Sequence, residues 1–427
     1  MICCDDLGYG DLNCYGSRIK TPNINGLAKA GVTFRHFNST SAVCSPARAA
    51  LMTGRYPTRV GIPGVLTPSD TYGLPDSETT IAQVLKTVGY NTMCVGKWHL
   101  GCQPPFLPTN RGFDAYYGIP YSSDMAPSIL MQNTTVIEQP VQLSTLTQRY
   151  TAQAVNFIQG SANTPFFLYL AYNFPHLPLF ASAAFSGQSP EGPYGDVVQE
   201  LDWSVGQVMS ALNNTGVNGN TLVMFLSDHG PWFNGSAGRL RGRKAETWEG
   251  GVRVPLIAWF PGQIPDGPVI HSLATNLDIL PTIASLCGAA LPSNPVDGVD
   301  IWPMLTGEQD AVNRDVFLYF DSWNLQCARM GRWKLHITRY NSFPWSPDPV
   351  GGRFNLPLPH QELYDVQNDP EESYDAAAQN PQIVADIRAR VNQLLPSFPA
   401  QVQSAWSTTF SHKVQGTASG ELPIIQI

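Results

Sequence analysis

Asp5 and Asp6 stand side by side where an apolar run ends, just before Gly8 and Gly10 turn the chain. Two adjacent carboxylates repel and shift each other's ionisation unless a cation lies between them. Asp228-His229-Gly230 closes another apolar run, and Asp228 with Asp5 and Asp6 makes a hard oxygen site suited to Ca²⁺ or Mg²⁺. Taken singly, each pair also reads as an Asp turn. Cys44-Ser45-Pro46-Ala47-Arg48 is the sharper signal. Ser45 and Pro46 suit the N-cap and first position of a helix that Gly54 ends. Cys44 then sits at a positive helix end, with Arg48 about one turn on, where a thiolate or a bound oxyanion is stabilised. A small buried Cys ahead of a well-capped helix fits the same residues.

Lys97 and His99 project from one side of an extended segment, so either could hold the oxygens of a tetrahedral anion. His176 lies shortly beyond the apolar run at 165–171. Arg239, Arg241, Arg243 and Lys244 form a basic loop, which in most chains is a solvated face. Here charged residues are only 14% of the chain, against about 25% in an average globular protein, so the density stands out.

The elements that must position these groups alternate strand-like and helical patterns, which reads as α/β with a largely parallel sheet. Thr21-Pro22 opens a short helix that Gly31 ends, and 32–37 resumes as a strand. The segment 79–88 is helical and 91–95 is a strand. The continuous apolar runs 165–171 and 221–226 suit central strands covered on both faces, with 197–212 as the crossover helix between them. Open α/β sheets bind ligands outside the carboxyl ends of their strands, and four strands deliver polar residues to that edge.

Beyond about Arg314 the texture changes to short strands at 316–320, 333–337 and 362–366, with an amphipathic helix at 382–395. We therefore divide the chain into an α/β domain at 1–314, its first strand read as cut short, and a small C-terminal domain at 315–427 with antiparallel strands and a helix. The tail from Ser404 carries no clear pattern. A length of 427 residues with 43% hydrophobic content supports one large core plus a smaller unit. The net charge of −8 argues against nucleic acid as a partner. Sequons at Asn38, Asn133, Asn213 and Asn234 would permit glycosylation, in keeping with the secretory pathway, lysosomal or extracellular.

In order along the chain, DDLGYGDL at 5–12, CSPARAALMTGR at 44–55, VGKWHLG at 95–101, GFDAYYGIPYS at 112–122, SDHG at 227–230 and KAETWEGGVRVP at 244–255 resemble the sulfatase family. The likeness is nearest to its arylsulfatase A and N-acetylgalactosamine-6-sulfatase branch. The resemblance implies an alkaline-phosphatase-like fold: a large mixed, mostly parallel sheet with helices on both faces, plus a small antiparallel α+β domain. It implies that a formylglycine-generating enzyme oxidises Cys44 to formylglycine, whose hydrate attacks sulfur. It further implies one Ca²⁺ or Mg²⁺ held by Asp5, Asp6, Asp228 and His229, the last where arylsulfatase A has Asn. Arg48 and Lys97 would hold the modified side chain, and His99 would hold or deprotonate its second hydroxyl. His176 and Lys244 would contact the sulfate and assist the leaving oxygen, with Ser122 a further polar sulfate contact. Gly242 stands where arylsulfatase A has a Cys, so a disulfide of that relative is not expected.

The implied substrate is a sulfated small molecule, glycolipid or glycan. The GIPYS segment and Pro63-Gly64-Val65-Leu66 lean towards sulfolipid and aryl sulfates. A homo-oligomer is compatible with the pattern. The rival readings are a phosphatase or phosphonate monoester hydrolase of the same superfamily, and an inactive sulfated-glycan binder if Cys44 stays unmodified.

Overall fold

The computed structural model describes residues 1–411. Its centre is a ten-stranded mixed sheet. The middle five strands are parallel, in the order Val223–Ser227, Ile2–Cys4, Phe166–Ala171, Asn91–Gly96 and Ala115–Gly118. Antiparallel strands extend both sides: Leu256–Trp259 beyond Val223–Ser227, and the hairpin Leu130–Gln132 and Thr135–Glu138 beyond Ala115–Gly118. Both faces are covered, as the continuous apolar runs require. Cys3 points to one core, with Ala49, Met52, Ile81 and Ile279 from the helices Cys44–Thr53, Ile81–Lys86 and Ile279–Leu286. Ile2 and Cys4 point to the other, with Ile24, Tyr150 and Val198 from Pro22–Lys29, Leu146–Gly160 and Gly192–Thr215.

The expected fold class is the one observed, with local differences that have physical causes. The run at 32–37 is two strands: Val32–Phe34 joins the large sheet, while Phe37–Asn38 crosses to a three-stranded sheet beside Arg253–Val254 and Ala274–Thr275. The first helix ends at Lys29, with Ala30 as its C-cap. Gly31 is needed for a different reason, because a Cβ there would lie 2.2 Å from the Ala258 carbonyl oxygen of the neighbouring strand. The helix Ile81–Lys86 is fastened by a Thr80–Gln83 capping box. The helix Cys44–Thr53 starts at Cys44, earlier than the Ser45-Pro46 pair suggests. Val43 is its N-cap, and Ser45 Oγ accepts the Leu66 amide at 3.0 Å instead.

The C-terminal part is an antiparallel sheet in chain order, Phe317–Asp321, Asn324–Met330, Trp333–Tyr340 and Asn355–Asp365. The helix Pro381–Leu394 packs on it through Ile387 and Val391. From Ser404 the chain is helical through Ser411. Among the sequons, Asn38 is fully buried and bonded to Glu249 and Arg329, so the folded surface does not offer it; Asn133, Asn213 and Asn234 are exposed. Among the described residues no helix is long and apolar enough to cross a membrane, and the eight cysteines are free.

Candidate active site

The strand order decides which side chains meet at the carboxyl edge. Asp5 and Asp6 leave the central strand Ile2–Cys4, Asp228 and His229 leave its neighbour Val223–Ser227, and Lys97 leaves Asn91–Gly96. Asp6 and His99 adopt left-handed backbone, φ 64° and 60°, which turns each chain sharply out of its strand. Such conformations are strained for non-glycine residues and persist where the surroundings over-determine them.

Arg48 ties this edge together. Its Nε and Nη2 lie 3.0 and 2.9 Å from Asp228 Oδ2, and Nη2 lies 3.3 Å from Asp5 Oδ1. Nη1 donates to the Lys97 carbonyl at 3.1 Å and the Tyr169 hydroxyl at 3.4 Å. One fully buried guanidinium thus bonds Tyr169 within one central strand and the residues just beyond the ends of three others. A buried cation is tolerable only with such pairing.

Ligating atoms of Asp5, Asp6, Cys44 and His229 lie within 4.8 Å of one another, all buried. His229 Nε2 is 3.3 Å from Cys44 Sγ, 3.4 Å from Asp6 Oδ1 and 3.8 Å from Asp228 Oδ1. Cys44 Sγ is 3.7 Å from Asp5 Oδ1. Asp228 stands beside this quartet, its Oδ2 engaged by Arg48 and its Oδ1 accepting the Asp6 and His229 amides. These buried carboxylates and the imidazole form a cluster that could hold a divalent cation.

Cations close the ring. Lys97 Nζ donates to Asp5 Oδ2 at 2.7 Å and to Ser122 Oγ at 3.3 Å. Lys244 Nζ reaches both Asp6 oxygens at 2.9 Å, and His176 Nε2 is 3.8 Å from Asp6 Oδ2. Burial pushes the Cys44 thiol up, but Lys244 and Lys97 outweigh it and bring it down to about 6. Burial pulls His229 down, yet Asp228, Cys44 and Asp6 raise it to about 9. The site therefore favours negative charge at the Cys44 position.

Lys97 and His99 do not share the expected extended segment, since the strand ends at Gly96 and His99 turns at φ 60°. His99 Nε2 meets the Leu66 carbonyl at 2.8 Å, so Nε2 carries the hydrogen and Nδ1 presents a lone pair. Nδ1 is buried without a protein partner. Burial first, then Lys97 and Arg48, hold this imidazole well below its ordinary range and hence neutral. Asp5, Asp6, Lys97, His99, Ser122, His176, Asp228, His229 and Lys244 lie at this sheet edge or in loops beside it, and Cys44 and Arg48 reach it from the helix Cys44–Thr53.

Residues 1–289 match the sulfatase family model, and 243–397 match the model for the C-terminal part of N-sulphoglucosamine sulphohydrolase. The chain belongs to the sulfatase family. It is 38% identical to arylsulfatase A of Bos taurus, an alignment covering 100% of this chain and 91% of that one. It is 40% identical to N-acetylgalactosamine-6-sulfatase of Canis lupus familiaris over 79% and 71% of the two chains. Among solved structures, Ps i-CgsB in complex with k-i-k-neocarrahexaose superposes with a TM-score of 0.81 at 29% identity, covering 96% and 97% of the chains. This sulfatase is a sulfuric ester hydrolase.

Only Lys244 of the sulfatase's basic loop enters the site. Arg239 pairs with Glu371, Arg241 lies 3.8 Å above the Trp248 ring, and Arg243 lies 4.1 Å above Phe233. Gly242, at φ 79°, lies where a Cβ would fall 2.6 Å from Trp248 Cβ, so Trp248 fills the space a larger side chain would need.

Three supporting residues are not among those the sequence singles out. Tyr169 carries Arg48, Ser227 Oγ accepts the Leu7 amide at 3.0 Å, and Asp11 clamps two loops by accepting from Gly8 and Ser236 amides and Tyr194. Asp11 sits inside the DDLGYGDL block; its spacing from two glycines was the available signal.

Proposed function

We propose that this sulfatase cleaves an organic sulfate ester at a formylglycine derived from Cys44, beside one Ca²⁺ or Mg²⁺ held by Asp5, Asp6, Asp228 and His229. The observation that carries the reading is the position of Cys44: its sulfur, which stands in for the formylglycine oxygens, touches both Asp5 and His229 inside a ring of cations. Formylglycine hydrate supplies an oxygen nucleophile with a second hydroxyl, and the divalent cation supplies positive charge to the sulfuryl oxygens.

The chain's own groups do the rest. Arg48 and Lys97 hold charge on the nucleophile side, and Ser122 braces Lys97. His99, neutral and with Nδ1 free to accept, would take the proton of the second hydroxyl as the carbon–oxygen bond to the sulfate breaks. Lys244 and His176 lie on the side nearest solvent, their side chains 15% and 9% exposed against 0% for Arg48 and Lys97. They meet the ester oxygen and stabilise it as it leaves. The organic sulfate and a formylglycine-generating enzyme are the partners this reading requires. The exposed sequons at Asn133, Asn213 and Asn234 support a secretory-pathway location.

Two measurements test this. The mass of the peptide bearing Cys44, from protein co-expressed with a formylglycine-generating enzyme, should show conversion to the aldehyde. That protein should then release sulfate from an aryl sulfate with a far higher kcat/KM than phosphate from the matching aryl phosphate. An unconverted Cys44, or a preference for phosphate, would overturn the reading.

A further inference from the structure

Aromatic side chains from two distant segments meet at the mouth of this site. Trp232 and Phe233 follow His229 in the loop that leaves Val223–Ser227, within roughly 14 Å of it along the chain. Phe343 and Trp345 come from the connection between Trp333–Tyr340 and Asn355–Asp365. Trp345 stands edge-on to both Trp232 and Phe233, with centroids 6.0 and 5.3 Å away, and stacks on Phe343 at 5.3 Å and 10°. Burial explains only part of this cluster, since Phe233 remains 52% exposed and Phe343 58%. Contiguous exposed aromatic surface marks a binding face more often than an accident of folding.

Its place says what it binds. Arg243 covers one side of Phe233, and the next residue, Lys244, donates to Asp6. Lys244 is also where the site is most open, so a sulfate held there must point its organic part outward on this side. Lys244 N bonds to the Pro231 carbonyl at 2.9 Å, which fastens the aromatic loop to the site lysine.

We infer that Trp232, Phe233, Phe343 and Trp345 form a stacking wall for the alcohol part of the substrate, and that this part is a flat ring presenting an apolar face. The inference rests on the sulfate-ester reading above and adds the residues that choose among esters. Such a face belongs to an aryl ring and to one side of a pyranose, and both gain from contact with aromatic rings.

The test uses the modified enzyme with Phe233→Ala, Trp345→Ala and Trp345→Leu. Substrates are naphthyl sulfate and a methyl hexopyranoside sulfate, and inorganic sulfate serves as a ring-free inhibitor. Truncation should raise KM about 10-fold for at least one ring-bearing ester, with kcat changed little. Inhibition by inorganic sulfate should be unchanged. Trp345→Leu, which keeps apolar bulk without a flat ring, should resemble Trp345→Ala. The ester with the larger loss identifies the ring as aryl or sugar. Unchanged KM for both esters in a working enzyme would overturn the wall, as would equal weakening of inorganic sulfate. Failure of the unaltered enzyme to release sulfate from either ester would overturn the underlying reading itself.

Discussion

His229 Nε2 lies 3.3 Å from the sulfur of Cys44, so the residue at the helix start and the residue leaving the strand Val223–Ser227 touch directly. In the proposed mechanism this contact would join the attacking position to the cation-binding position. It makes the Cys44 side chain part of the donor cluster rather than a neighbour of it.

Cys44→Ala should therefore remove sulfate release by more than ~10³-fold, as loss of a nucleophile does elsewhere. The fold should survive, because the change removes a single atom at the start of a helix. Turnover and thermal melting of the variant check this. Near-normal steady-state activity would sink the mechanism.

The intact protein should hold one Ca²⁺ or Mg²⁺ per chain, and chelation should lower its melting temperature by mass action. Asp6→Ala should lose the ion. Asp228→Ala should lose it and also leave Arg48 buried with a weakened partner set, so its melting temperature should fall further than that of Asp6→Ala. Metal analysis with parallel melting curves tests both; equal stoichiometric metal in all three proteins would remove the assignment.

Lys244→Ala and His176→Ala should cost little with an activated nitrophenyl sulfate and on the order of 10²-fold with an alkyl or sugar sulfate. The reason is that a donor to the departing oxygen contributes in proportion to the charge developing there. The measurement is kcat/KM across aryl sulfates of graded leaving-group pKa. Slopes identical to the unaltered enzyme would make both residues binding groups only.

Lys334 is fully buried and donates to the Thr247 carbonyl at 2.7 Å, Glu249 at 3.0 Å and Glu372 at 3.1 Å. Lys334→Met would leave two buried carboxylates short of their counter-charge and should destabilise by about 3–5 kcal/mol. Denaturant unfolding checks it, and a loss under about 1 kcal/mol would contradict the argument.

Asp11 supplies a pH signature. Burial lifts its carboxyl to about 6 despite the bonds from Tyr194, Ser236 and Gly8. The folded state then binds a proton that the unfolded chain has released, so stability falls as pH rises from about 4 to about 6 and is level above. Across that window Asp11 should account for about 3 kcal/mol. Asp11→Asn should flatten this part of the stability profile; an unchanged slope would show that the carboxyl titrates normally.

How much of this was legible in the residues follows from their neighbours in sequence. Asp5, Asp6, Asp228 and His229 end apolar runs, so strand ends and candidate ligands could be read together. Asn324–Met330 could not, because Gln326, Cys327 and Arg329 are polar yet buried, held by Thr247, His336 and Asn38 from elsewhere. Val32–Phe34 and Phe37–Asn38 looked like one strand because what separates them is the partner sheet, not composition. The pairing of Trp232 with Trp345 has no local signal at all.

Arg48 ties one central strand and the ends of three others together with a single side chain. The candidate site's geometry is therefore fixed by the sheet itself. Heating should extinguish catalysis along the same curve that melts the whole protein, with no cooler step in which the active site loosens first.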